Sequence, residues 1–238
     1  MSFLIYDAFF LFSRVVIGSL QHIFPIVIAI LFSMVFINYA KRLSNSIQQK
    51  NALHIFACFV SVIVIVFHAN KICLGYYNVS TDLPLYLCSL LGLLIPIFTY
   101  YRKFWMYEIL VFWIIGGTLQ AVITPDIALG FPSFDYFRYW IVHLGLLIII
   151  FYATFVFNMR PKFKSVFKSF LALQVYVVLM VIINKLLEAN YFYLNEKPQS
   201  ASILDYFGEW PWYIIVVQII IIPLFLLIYL PFYLTRKK

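Results

Sequence analysis

"LPLYLCSLLGLLIP", residues 83–96, carries no charged side chain, and none follows until Arg102. Crossing the hydrocarbon core of a bilayer takes about 20 apolar residues in a helix. The stretch therefore reads as a membrane helix, and it contains a cysteine one turn after a proline. Cys88 is either a small buried hydrophobe or a nucleophile set into lipid.

The rest of the chain supports the membrane reading. Of its 238 residues, 65% are hydrophobic and only 11% are charged. A soluble domain is nearer half apolar and a quarter charged, so here the solvent is lipid. Seven spans are expected, at about residues 20–40, 53–70, 83–100, 104–124, 136–158, 166–188 and 212–233. The fold class is all-α, a polytopic membrane bundle of seven transmembrane helices. Its domains are an interfacial segment 1–19, a membrane domain 20–235 and a basic tail 236–238. No cleavable signal peptide is expected, because the first ten residues lack a basic start.

The connections alternate in charge. Lys41, Arg42 and Lys50, then Arg102 and Lys103, then Arg160, Lys162, Lys164 and Lys168, then Arg236, Lys237 and Lys238 fall on one side. They are twelve of the 17 basic residues, and eight of the nine acids fall on the other side. The positive-inside rule puts the C-terminus in the cytoplasm and the N-terminus outside. The net charge of +8 is thus topology, and it excludes a nucleic-acid surface. "EWPWY" (209–213) and "YYRKFW" (100–105) supply interfacial aromatics.

Polar side chains inside spans are costly and face the bundle interior. The second span carries His54, Cys58, Ser61 and His68 on one helical face. The third carries Cys88, Gly92 and Pro96, spaced so that a neighbouring helix can approach. The fourth carries Gln120 and Thr124, the fifth His143, and the sixth Gln174, Asn184 and Lys185. In the expected topology Cys88 and His143 lie at similar depth, and His22, His68, Gln120, Thr124 and Asn184 are also near the outer face. A polar pocket opening outward follows. Cys88 and His143 form a candidate nucleophile–base pair, in which imidazole takes the thiol proton and the thiolate attacks an acyl carbonyl. Asn184, Gln120 or backbone donors would stabilise an oxyanion.

The bland readings stand beside this one. A buried cysteine is commonly inert. The His54–His68 stripe also suits helix-to-helix hydrogen bonding. Cys58 and Cys73 rank below Cys88, since neither has a histidine at matching outer depth. An odd count of three cysteines argues against a disulfide framework. No compact ligand motif points to a metal, and no cofactor is expected. Glu108 is expected to pair with Arg102 or Lys103.

Three stretches together carry a resemblance. They are "LPLYLCSL" (83–90), "WIIGGTLQAVITPDIALGFPSFDYFRYWIVH" (113–143) and "NKLLEANYFYLNEKPQSASILDYFGEWPWY" (184–213). They resemble the YwaF-like family of bacterial multi-pass membrane proteins, itself similar to a metazoan transmembrane acyltransferase that places polyunsaturated chains on ether phospholipids. The resemblance implies Cys88 as nucleophile and His143 as its histidine. It also implies that Asp126, Asn190, Tyr191, Lys197 and Pro198 wall or cover an outer pocket. The function expected is a membrane-embedded transacylase working through a cysteine thioester. Substrate would contact His68, Gln120, Thr124, Asp126, Asn184, Asn190 and Tyr191, and the partners would be phospholipids and lysophospholipids of the cell membrane. A transporter or sensor with a polar outer cavity, and a membrane subunit without chemistry, remain open alternatives.

Overall fold

In lipid every backbone N–H and C=O must find its partner within the protein, which leaves helices or closed barrels. The computed structural model describes residues 14–199 and 202–235, and these form helices with no strand among them. The helices are α1 (Leu20–Arg42), α2 (Ser46–Cys73), α3 (Leu87–Tyr101), α4 (Phe104–Ile123), α5 (Phe134–Phe155), α6 (Phe163–Leu187) and α7 (Trp212–Leu234). Two 3-10 turns, Tyr191–Tyr193 and Ile203–Phe207, lie between α6 and α7. Residues 1–13 of the expected interfacial segment 1–19, and the expected tail 236–238, lie outside the described residues.

Six helices are long and apolar enough to cross a membrane. The seventh, α3, has 15 residues, about 22 Å at 1.5 Å per residue, short of a core about 30 Å thick. The span expected over 83–100 starts four residues late for a physical reason. Tyrosines pair two backbone groups within residues 83–86 outside any helical ladder. The Leu83 N–H donates to the Tyr191 hydroxyl at 2.9 Å, and the Tyr176 hydroxyl donates to the Leu85 carbonyl.

Helix starts follow short polar caps where they exist. Asn45 Oδ1 accepts from the Ile47 N–H ahead of α2, and Ser133 Oγ accepts from the Tyr136 N–H ahead of α5. α5 is the centre of the bundle: 72% of its apolar window is buried, against 6% for α1 and 11% for α7. It packs against α1, α2, α3 and α4, while α6 packs against α4 and α7. Two glycines let the central helices close up. A Cβ at Gly145 would stand 2.7 Å from Val60 Cγ2, and one at Gly92 would stand 3.0 Å from Val142 Cγ1. Gly92 thus performs the close approach expected of the α3 stripe.

Glu108 departs from expectation. It is 3% exposed and accepts from Ser165 Oγ at 2.6 Å and Lys168 Nζ at 3.0 Å. Its position on α4 faces α6, and a buried carboxylate needs partners on the element that covers it. Arg102 instead lies over the Phe157 ring, 5.1 Å from its centroid.

Candidate functional site

Cys88 occupies the first turn of α3. Tyr86 precedes that helix as its N-cap residue, and no side chain caps the first-turn N–H groups. Such N–H groups have no intrahelical acceptor. The Cys88 thiol meets the Thr118 hydroxyl at 3.5 Å. Thr118 is fully buried and closes a π-turn, Ile114–Thr118, inside α4. π-turns are rare and often stand at functional positions. This one contains Gly116 and Gly117, where added Cβ atoms would meet Phe225 and Leu87, each at 3.4 Å. The glycine pair thus lets α3 and α7 lie close on either side of the turn that presents Thr118.

Three tyrosines, Tyr139, Tyr176 and Tyr193, lie within Coulombic reach of the Cys88 sulfur. Tyr139 also holds the histidine. The His143 ring lies on the Tyr139 ring with centroids 4.0 Å apart, and His143 Nδ1 is 2.7 Å from the Tyr139 carbonyl. A carbonyl only accepts, so Nδ1 carries the proton and Nε2 keeps the lone pair a base requires. No hydrogen bond joins Cys88 to His143. Cys88 is on α3, whereas His143 is on α5 with Tyr139 one turn before it.

The remaining expected residues divide by partner. The Asp126 N–H donates to the Tyr139 hydroxyl at 3.3 Å, and the Asp126 carboxylate pairs with Arg14 at 2.8 Å. The Tyr139 hydroxyl in turn donates to the Ala121 carbonyl at 2.8 Å. Asp126 is therefore part of the wall around Tyr139. Gln120 and Thr124 bond to one another at 3.0 Å. Both ends of the Asn184 amide bond the backbone of Tyr191, at 2.8 and 2.9 Å, so Asn184 latches a turn. The Tyr191 hydroxyl donates to the Val79 carbonyl at 2.6 Å, accepts from Leu83 and packs edge-on against Tyr86. Asn184 and Tyr191 thus brace the segment that leads into Cys88.

Asn190 folds the loop between α6 and α7 through Asn195 and Glu196 and lines a polar hollow of about 300 Å³ with Ser80 and Glu188. His68 stands apart near Tyr77, Asp82 and Arg138, and both of its ring nitrogens are buried without a hydrogen-bond partner. His22 bridges the Gly18 N–H at 2.9 Å and the Val122 carbonyl at 2.8 Å, the work of a structural histidine. An apolar groove of about 490 Å³ runs between α1, α2 and α5 past Phe24, Phe59, Trp140 and Ile148.

Outside the membrane, burial pushes the Asp82 carboxyl up. The Lys71 ammonium at 2.6 Å and the Asn78 N–H at 2.9 Å outweigh it, so Asp82 stays below the usual carboxylate range. That ion pair ties the C-terminal end of α2 to the loop before α3.

Sequence reasoning passed over Thr118, Tyr139, Tyr176 and Tyr193. The glycine pair before Thr118 signalled a break in α4. The tyrosines gave no signal, because aromatic residues are common at every interface of this chain.

A family model described as the TMEM164 family matches residues 17–229. The chain belongs to the TMEM164 family and, with its six long apolar helices, is an integral membrane protein. No curated protein and no solved structure matches it.

Proposed function

We propose that this TMEM164-family protein is a cell-membrane lipid transacylase that carries the acyl chain on Cys88. The observation that supports the reading is the setting of the thiol. It lies in the uncapped first turn of α3, against the buried Thr118 hydroxyl on a π-turn. The resemblance of residues 83–90, 113–143 and 184–213 to the YwaF-like family adds the acyl-transfer chemistry.

In this mechanism a phospholipid enters from the outer leaflet, the side assigned by the charge pattern. His143 Nε2 accepts the thiol proton as substrate bridges the gap across Tyr139. The Cys88 sulfur attacks the ester carbonyl, and first-turn N–H groups are donors of the right kind for the oxyanion. Collapse expels the lysolipid hydroxyl, which takes its proton from His143. The thioester then passes the chain to an acceptor hydroxyl by the reverse route. Thr118 holds the sulfur, and Asn184 with Tyr191 holds the entry segment.

Intact-protein mass spectrometry after incubation with mixed phospholipids tests this directly. Wild type should gain a hydroxylamine-labile acyl adduct that maps to Cys88 and is missing from Cys88→Ala. Lipid products unchanged in both proteins, with no adduct, would refute the reading.

A further inference from the structure

Of the three cysteines, Cys58 alone touches a histidine among the described residues. Cys58 Sγ lies 3.7 Å from His54 Nε2, one turn earlier on α2. His54 Nδ1 lies 2.9 Å from Thr99 Oγ1 on α3, and the Thr99 hydroxyl donates to the Pro96 carbonyl at 3.1 Å. With the Thr99 hydroxyl proton on the Pro96 carbonyl, Thr99 Oγ1 accepts from His54 Nδ1–H, and His54 Nε2 is left with a lone pair to which the Cys58 S–H can donate. Nucleophile, base and orienting group stand in a row, the arrangement that activates thiols for acyl chemistry.

The surroundings select a substrate class. Cys58 and His54 are half-buried, so the sulfur is reachable. Ile55, Phe59 and Val62 on the same helix are exposed to the lipid, a bed for a long alkyl chain. The polar head has a different neighbour. Lys50 lies one turn before His54, with its ammonium 4.8 Å from the Tyr100 ring centroid, and Arg102 and Lys103 follow α3 at the same end of the bundle. We propose that Cys58, with His54 as base and Thr99 as positioning residue, is a second thiol site that takes a long acyl chain from an acyl thioester on an anionic carrier at the basic face of the membrane.

The step balances without a further reactant. The Cys58 thiol proton passes to His54 Nε2 as sulfur attacks the thioester carbonyl. The carbon–sulfur bond to the carrier breaks, and the leaving thiolate recovers the proton from His54. Cys58 becomes an S-acyl cysteine and the carrier becomes a free thiol. The proposal is independent of chemistry at Cys88.

The test uses the full chain in nanodiscs with palmitoyl-CoA, in a Cys88→Ala background so that the outer thiol contributes nothing. Adducts are mapped to Cys58 and Cys73 by peptide mass spectrometry, with hydroxylamine to identify thioesters. Cys58 should acylate at least tenfold faster than Cys73, which is exposed and has no histidine partner. His54→Gln should slow acylation of Cys58 by roughly a hundredfold, the scale of a general base, and move its pH profile toward that of a simple thiol. Thr99→Val should slow it less. Alkylation of Cys58 by N-ethylmaleimide in the wild-type chain gives a second readout that needs no variant to fold. Equal acylation of Cys58 and Cys73, or an unchanged rate and pH profile in His54→Gln, would overturn the assignment.

Discussion

Cys58 and Cys88 are both half-buried and differ in partner. Cys58 meets an imidazole on its own helix, whereas Cys88 meets a hydroxyl on a neighbouring one. A pair spaced by four residues on one helix is nearly given by helix geometry. A pair drawn from two helices depends on how they pack. In this bundle His143 stacks on Tyr139 one turn earlier on its own helix, and no hydrogen bond joins it to Cys88 on α3.

The largest effect expected at the outer site is loss of the nucleophile. Cys88→Ala should reduce phospholipid acyl transfer by about a thousandfold or more, measured by product lipid mass spectrometry. The Cys58 adduct with palmitoyl-CoA should persist in the same protein. Loss of both reactions together would mean that one site serves them, and the contrast would be void.

Gly145→Ala sharpens the comparison from the side of packing. Val60 is two residues after Cys58 and Gly145 two after His143, so the helices carrying both sites meet there. The new methyl would stand 2.7 Å from a fully buried β-branched side chain. Overpacking of this kind costs about 1–3 kcal/mol, read as a lower unfolding midpoint in detergent. A second change, Val60→Ala, should recover part of it. An unaltered midpoint in Gly145→Ala would show that α2 and α5 part freely.

Asn184→Ala should loosen only the outer region. It removes two hydrogen bonds to buried backbone groups of Tyr191, at about 1–3 kcal/mol for groups left unpaired. Transfer at Cys88 should fall, while N-ethylmaleimide labelling of Cys58 keeps its wild-type rate. Faster labelling of Cys58 would show that the two regions are coupled.

The smallest effect belongs to the loop before α3. The folded Asp82 carboxyl lies below its unfolded value. Its contribution is therefore present above the unfolded carboxylate pKa of about 3.9 and is lost as pH falls through the lower, folded value. Thermal melts taken as pH drops below about 4 should show a small loss of stability that Asp82→Asn lacks. An identical acid limb in both proteins would remove the Lys71–Asp82 tether from the account.

Most of the helical plan was legible because lipid imposes it. Long uncharged runs must become helices, and six of the seven expected spans appear as helices long enough to cross. The exception, α3, begins late because Tyr176 and Tyr191 pair two backbone groups within residues 83–86, contacts made from α6 and the turn after it. The α2 stripe was also readable. His54 and Ser61 do bond across to α3, Ser61 through the Leu93 carbonyl at 3.0 Å. The partner of Glu108 was not readable, since a carboxylate near the end of a span can turn toward its own loop or toward a covering helix.

The sequence alone determined the solvent, the approximate places of the helices, the candidate nucleophiles and the four-residue spacing of His54 and Cys58, because hydropathy and helical period act locally. Only the tertiary structure decided that Thr118 meets Cys88, that Asn184 bonds the backbone of Tyr191 and that Thr99 bonds His54. The first and last of these contacts join helices through residues 30 and 45 apart in the chain, and the close packing of helices selects such partners by shape rather than by any pattern along the sequence.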